Sequence, residues 1–370
     1  MASFPPGVPG AGVETVETPA LVLDLDCFEA NLDAMTAWTA QSGLRLRPHA
    51  KSHKCSAIAL AQIARGAVGV CCQTLGEAEA MAAAGIADIL VTNNLVHPGK
   101  LQRLARLSAT GHVGLLFDHV EQVRRAGEAF AAVAGTCDAY VEIEVGSSRS
   151  GVETVEAAVA LVQAIERQPG LRFAGVQAYH GRAQHMRAPR ERAAAADHVA
   201  DRVRRLRERL GSLGHEDVVV TGGGTGSFMA DAASGALDEL QCGSYVFFDV
   251  DYDRNDRTGE IPFRQSLFVQ TTVLSTPTAD RAICDAGLKA LSFDSGVPAV
   301  AGRNDLTYFG PNDEHGRIAT AEATEPVRIG DVLRLVPGHC DPTVAMHDWI
   351  VGIRGDTIEA LWPIDGRGPR

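Results

Sequence analysis

The sequence predicts an α/β fold, a (β/α)8 barrel followed by an antiparallel β domain, and three observations carry the prediction. Between residues 44 and 248, eight short apolar, β-branched runs alternate with alanine-rich stretches of helical period, as in repeated β-α units on a parallel sheet. A block of roughly 200 residues built this way matches the size of a (β/α)8 barrel. Beyond about residue 255 the helical period fades and short strand-like runs take over. A doubly wound open sheet is the rival, because counting strands does not show closure. The division expected is a barrel over residues 28–255 and a β domain made of residues 1–27 and 256–370.

In chain order, the run Ala20-Leu21-Val22-Leu23-Asp24-Leu25 reads as a strand that precedes the barrel and can pair with the C-terminal domain. The eight barrel strands are read at 44–47, 68–72, 88–92, 113–117, 139–144, 173–178, 218–221 and 239–247. Helices are read between them at 76–84, 98–109, 119–133, 153–166 and 189–213, the last with arginines and glutamates on its outer face. In the C-terminal part, 267–274, 282–286, 327–336 and 348–351 read as antiparallel strands. No repeat period of 20 to 50 residues and no low-complexity linker stands out.

The formal net charge of −12 argues against nucleic acid or an anionic membrane surface as the main partner. No stretch of eighteen apolar residues occurs, and the first ten residues hold no basic cluster leading into an apolar core. A soluble, cytoplasmic protein is expected. Eight cysteines without paired C-x-x-C units fit reduced thiols rather than a disulfide scaffold or structural zinc. Of 34 basic residues only four are lysine, at 51, 54, 100 and 289. A lysine kept inside an apolar segment therefore stands out against the arginine background.

In parallel α/β folds, ligands bind at the carboxyl ends of the strands. The residues at those ends are Arg47-Pro48-His49-Ala50-Lys51-Ser52-His53-Lys54, Gln73-Thr74, Asn93-Asn94, Arg149, Tyr179-His180, residues 221–227 and Gln241-Cys242-Gly243-Ser244-Tyr245. The cluster Gly222-Gly223-Gly224-Thr225-Gly226 can be a tight turn or a cradle of backbone amides for a phosphate. A second glycine at the end of the next strand, Gly243-Ser244, favours the phosphate. Lys51, between two histidines, is either a surface lysine or a Schiff-base former. A lysine at the first strand end facing a phosphate cup at the seventh and eighth suggests pyridoxal phosphate. Near the C-terminus, His339-Cys340-Asp341 stands within or beside an expected strand, which puts His339 and Asp341 on one face to grip a divalent ion. A plain turn at Asp341-Pro342 is the alternative. The knot Asn312-Asp313-Glu314-His315-Gly316 reads as a surface loop that could instead reach a neighbouring active site.

Taken together, these motifs resemble the fold-type III pyridoxal-phosphate enzymes of the D-threonine aldolase and D-serine dehydratase group, which are distantly similar to alanine racemase. The resemblance runs from Thr18-Pro19-Ala20-Leu21 to His347-Asp348-Trp349, through residues 47–54, 70–73, Gly146-Ser147-Ser148-Arg149-Ser150-Gly151, 177–181, 222–226 and Asp285-Ala286-Gly287. It implies an alanine racemase-like barrel plus β domain, and a homodimer in which the second domain of one subunit faces the other's active site. It implies Lys51 as the Schiff-base lysine for pyridoxal 5'-phosphate, Arg149 near the cofactor's phenolic oxygen and the substrate carboxylate, and Tyr179 against its ring. Gly224, Thr225, Gly243 and Ser244 would hold the phosphate, and Gln73 is a further candidate contact. His339 and Asp341 would bind the metal, manganese first, with magnesium, cobalt or zinc as alternatives.

Dehydratases of the group generally carry His-x-Cys where this chain has His339-Cys340-Asp341, the pattern of the D-threonine aldolases. The resemblance thus implies retro-aldol cleavage of a D-3-hydroxy-α-amino acid, of the D-threonine or D-allo-threonine type, to glycine and an aldehyde. The metal would polarise the β-hydroxyl and His185 would take its proton; a solvated surface histidine is the alternative for His185. Rival readings are a metal-dependent D-serine or 3-hydroxyaspartate dehydratase, a 3-hydroxyaspartate aldolase, and a non-catalytic pyridoxal-phosphate carrier of the same barrel.

Overall fold

The computed structural model describes residues 4–257, 259 and 261–368. Residues 1–3, 258, 260, 369 and 370, all within the expected β domain, lie outside the described residues. Eight parallel strands follow one another: Arg45–Leu46, Val70–Cys72, Asp88–Val91, His112–Phe117, Cys137–Glu142, Leu171–Ala178, Val219–Gly222 and Glu239–Leu240. From the second strand onward each pairs with the next in the chain, and the last pairs back onto the first. The two remaining edges meet as well: the Val68 and Cys71 amides donate to the Leu46 and Pro48 carbonyls, and His49 bridges Cys71 in parallel register. The sheet is therefore closed, which rules out the doubly wound rival. Helices such as Leu75–Ala83, Pro98–Leu107, Val120–Ala131, Val155–Glu166 and Pro189–Gly211 return the chain between strands.

At the amino end of the barrel, Arg47 is buried beside Glu239, at 2.7 Å, and Asp88, at 2.5 Å. Two acidic neighbours outweigh the desolvation of the guanidinium and hold its pKa above the usual value. The pair ties the first strand to the eighth, across the junction where the sheet must register on itself.

The second sheet has nine strands. Its strand Ala20–Asp24 lies between Leu267–Thr278, antiparallel, and Trp349–Arg354, parallel, so the N-terminal strand does pair with the C-terminal part. Strands Val332–Val336 and Arg281–Cys284 flank Leu267–Thr278. Helix Leu25–Ser42 leads from this sheet into the barrel. The Asp24 side chain accepts the Cys27 amide at its start, and Gly43, at φ 71°, ends it. Phe28, Leu32 and Met35 recur at helical spacing and are buried, each worth roughly 1.5–3 kcal/mol of apolar burial. Residues 365–366 return to the barrel: the Asp365 carboxylate accepts the Ser56 amide at 3.0 Å and the Gly366 amide donates to the Lys54 carbonyl at 2.8 Å.

Two expectations fail. The strand read over 239–247 stops at Leu240, and Ser244–Val246 forms a 3-10 turn instead. Phe247 and Phe248 donate back to the Ser244 carbonyl, while Tyr245, Val246 and Phe247 stay buried, so an apolar run that reads as a strand is a buried turn. The unit His339-Cys340-Asp341 is not in a strand. Val332–Val336 ends before it, His339 is the extended N-cap residue, and Cys340–Val344 is helical. Pro342 falls in the first helical turn, where its missing amide costs no hydrogen bond. Helices Leu25–Ser42 and Ser56–Ala64 had no counterpart among the expected elements.

Candidate active site

The carboxyl ends of the barrel strands open into a cleft enclosing about 490 Å³. Lys51, Gln73, Arg149, Tyr179, Gly224, Thr225, Gly243 and Ser244 all line it, although they come from six strand ends. His185, His339 and Asp341 stand at its margin.

Lys51 lies in the 3-10 turn Ala50–Ser52, directly after the first barrel strand. Its backbone amide donates to His49 Nδ1 at 3.3 Å, and its Nζ is 3.5 Å from Asp341 Oδ2. Burial works against the charge of Lys51, but the Asp341 and Tyr179 groups outweigh it and raise the pKa. His49 accepts on Nδ1, so the ring proton sits on Nε2, which donates to Thr92 Oγ1 at 2.8 Å. Burial, reinforced by the Lys51 charge, pushes the His49 pKa well down and keeps the ring neutral.

Arg149 is carried by the loop after strand Cys137–Glu142. The Glu144 carboxylate gathers the amides of Gly146 and Arg149 in that loop, and these backbone bonds overcome burial to hold its pKa low. The Arg149 guanidinium lies 5.6 Å from the centroid of the Tyr179 ring. Ser147 Oγ donates to the Tyr179 carbonyl at 3.0 Å, which fixes this loop against the sixth strand end. Gln73 follows strand Val70–Cys72 and is anchored by its amide on Glu77 Oε2 at 2.7 Å.

In the same cleft, the glycine-rich turn runs from strand Val219–Gly222 into helix Phe228–Ala233. A Cβ at Gly224 would meet Gln184 Oε1 at 2.5 Å, and one at Gly243 would meet the His49 carbonyl at 2.5 Å. The backbone contact leaves room only for glycine at 243, whereas at 224 the Gln184 side chain would have to shift. The Thr225 hydroxyl is buried and, among the described residues, has no hydrogen-bond partner. A buried, unpartnered donor in a cleft also lined by Gly224 and Gly243 suits the oxygens of a phosphate monoester. With the Lys51 amine in the same cleft, the residues present fit pyridoxal 5'-phosphate.

His339 Nε2 is 3.9 Å from Asp341 Oδ1. Two donors at that spacing can share one ion whose ligand distances are about 2.0–2.2 Å. His339 Nδ1 bonds Asp294 Oδ2 at 2.7 Å, an outer carboxylate that leaves Nε2 for a metal. Burial lowers the His339 pKa, but Asp341 and Asp294 reverse it and raise the value. Burial likewise raises that of Asp341, but Lys51 and His339 overcome it and hold the carboxylate ionised. Among the described residues no group of three or more His, Cys, Asp or Glu residues is placed to hold an ion. Cys340 is buried, and burial pushes its thiol pKa up, against the ionised form a metal would need.

His185 ends the 3-10 segment Gly181–His185. Its Nδ1 is 2.5 Å from Asp251 Oδ2, and its ring stacks 6.1 Å from that of Tyr252, which does line the cleft. Tyr252 and Asp251 had no role in the sequence reading. Gln177 and Gln241 stood only inside longer motifs, yet both line the cleft, exchange amide hydrogen bonds at 2.8 and 2.9 Å, and Gln241 Nε2 also donates to Thr221 Oγ1 at 2.9 Å. The signal available for Tyr252 was its place four residues past the apolar run that ends at Phe248.

Residues 23–251 match the model of the alanine racemase N-terminal domain, and residues 266–353 that of a putative serine dehydratase domain. The chain is 44% identical to a D-threonine aldolase of Arthrobacter sp., covering 98% of this chain and 96% of that one. It is 41% identical to a 3-hydroxy-D-aspartate aldolase of Paracoccus denitrificans, over 98% and 95% of the two chains. Among solved structures, the D-threonine aldolase of Filomicrobium marinum superposes with a TM-score of 0.96 at 43% identity, over 98% of this chain and 99% of that one. The chain therefore belongs to the alanine racemase-like, pyridoxal-phosphate-dependent enzymes, in the group of carbon–carbon lyases that includes the D-threonine aldolases.

Proposed function

We propose that this chain is a D-threonine aldolase, cleaving D-3-hydroxy-α-amino acids to glycine and an aldehyde with pyridoxal 5'-phosphate and a divalent metal. The observation that carries the reading is the approach of Asp341 to within 3.5 Å of Lys51 Nζ, which joins the lysine and the His339–Asp341 pair in one cleft. When bound at Lys51, the cofactor supplies the sink for the electron pair left as the Cα–Cβ bond breaks.

The chain's own residues do the rest. Gly224, Thr225, Gly243 and Ser244 hold the phosphate, and Tyr179 and Gln73 face the ring. Arg149, exposed on one side of the cleft, orients the substrate carboxylate by a charge-assisted hydrogen bond. His339 and Asp341 would hold a divalent ion, manganese being the first choice, and the ion would supply Lewis-acid polarisation of a β-hydroxyl. His185 takes the hydroxyl proton, so the β-carbon leaves as the aldehyde. Neutral His49 keeps a second positive charge away from Lys51.

A 3-hydroxyaspartate aldolase would share every one of these groups and differ in the β-substituent. A dehydratase would instead give a keto acid and ammonia. Product analysis on D-threonine, D-allo-threonine and D-3-hydroxyaspartate, with and without added Mn2+, separates them. Acetaldehyde with glycine is the expected outcome for the threonines; 2-ketobutyrate as the only product would overturn the aldolase reading. We also propose a cytoplasmic homodimer, which light scattering of the purified chain tests. Among the described residues no helix is long and apolar enough to cross a membrane.

A further inference from the structure

We infer that Asp251 is the positioning residue that decides which ring nitrogen of His185 can accept a proton. The inference rests on the reading of His185 as base. His185 is 48% exposed at its side chain, so nothing but directed contacts holds its ring in one orientation. Two such contacts come from the short helix Val250–Asp253: the Asp251 carboxylate on Nδ1 and the Tyr252 ring against the imidazole face.

Asp251 is buried, at 4% exposure, and its two oxygens are divided. Oδ2 faces His185 Nδ1 at 2.5 Å, while Oδ1 accepts Arg187 Nη2 at 2.5 Å. Arg187 Nη1 also donates to the Asp251 carbonyl at 2.6 Å and to Asn255 Oδ1 at 2.7 Å. Arg254 stands 4.0 Å from Oδ1, and Arg192 of helix Pro189–Gly211 donates to the Met186 and Arg187 carbonyls. Burial raises the Asp251 pKa, but the Arg187 hydrogen bond and the neighbouring cations reverse this and hold it below the usual carboxylate range. An ionised carboxylate only accepts, so the His185 proton must lie on Nδ1 and the lone pair on Nε2.

The same helix sets where that lone pair stands relative to the metal pair. The Val250 and Asp251 amides donate to the Pro337 and Gly338 carbonyls at 3.1 and 3.2 Å. The Asp249 carboxylate accepts the Cys340 amide at 2.8 Å and the Tyr252 amide at 3.1 Å. One four-residue helix therefore contacts both the base and the segment that delivers His339 and Asp341.

The test is the His185 tautomer in the holoenzyme, read by nitrogen-15 NMR of histidine-labelled protein, together with kinetics on D-threonine. Wild-type protein is expected to carry the proton on Nδ1; an Nε2–H tautomer would overturn the inference without any variant. In Asp251→Asn the single amide oxygen goes to Arg187, so the NH2 group faces His185 and drives the ring proton to Nε2. The expected result is an inverted tautomer and a kcat lower by about 100-fold, with KM changed less than about twofold. Retention of Nδ1–H, or of kcat, in this variant also overturns the role of Asp251. His185→Asn distinguishes the underlying reading: unchanged kcat there removes His185 as the base, whereas loss of kcat there with unchanged Asp251→Asn kinetics removes only Asp251.

Discussion

Lys51 and Thr225 line one cleft, and each makes a separate demand on a ligand. Lys51→Ala is expected to abolish both turnover and the visible absorption of bound cofactor, since no other lysine lines the cleft; absorption that survives in the variant would remove Lys51 from its role. Thr225→Val deletes a hydroxyl that has no partner within the protein. Its loss should weaken cofactor affinity about ten- to hundredfold, the worth of a hydrogen bond to a charged group of about 1.5–3 kcal/mol, while the cofactor-free protein melts no lower than wild type. Cofactor titration and thermal melts of the two forms check both halves. Lys51 and the glycines were legible in the sequence because imine formation and close backbone approach each admit a single residue type. Asp251 was not, because its meaning lies in a contact with His185 across 66 residues of chain, and an aspartate on a short polar segment reads as solvated.

The elements that deliver these side chains were legible where burial had a period. Alternating β-branched runs placed seven of the barrel strands within a few residues, whereas 239–247 and 339–341 failed because burial there comes from turns, which have no period. That second failure matters for the metal, since His339 reaches Asp341 across a helix N-cap rather than along a strand face. The cap leaves His339 with one outer partner, Asp294. Asp294→Asn should therefore reduce Mn2+ affinity about 10- to 100-fold, read by calorimetry or by the electron spin resonance of free Mn2+. Affinity equal to wild type would show that the Asp294 contact does not orient the ligand.

Barrel class followed from alternation, but closure did not, because the bonds that close the sheet join residues 46–49 to 68–71 through backbone atoms alone. Charge at the barrel's amino end carries part of the cost of that closure. Arg47→Met leaves Glu239 buried without its guanidinium and should cost about 3–5 kcal/mol, measured by denaturant unfolding. Proton binding gives a second handle on stability. Burial pushes Asp231 up to about 7 and Asp249 up to about 6. Each of the two contributes stability that is present below pH ~4 and lost as pH rises through its raised value, whereas His49 and His53, whose pKa values burial lowers, contribute in the opposite sense. Asp231→Asn should flatten the part of the slope nearest pH 7, as followed by melts across pH; an unchanged slope would assign it elsewhere. Ribosomal synthesis adds an order in time to this architecture. The last barrel strand ends at Leu240, while His339 and Asp341 come a hundred residues later and the Asp365–Gly366 clasp on the Lys51 loop later still. The barrel strands are therefore all made before the site is complete, and a chain clipped before residue 365 lacks the clasp on the Lys51 loop.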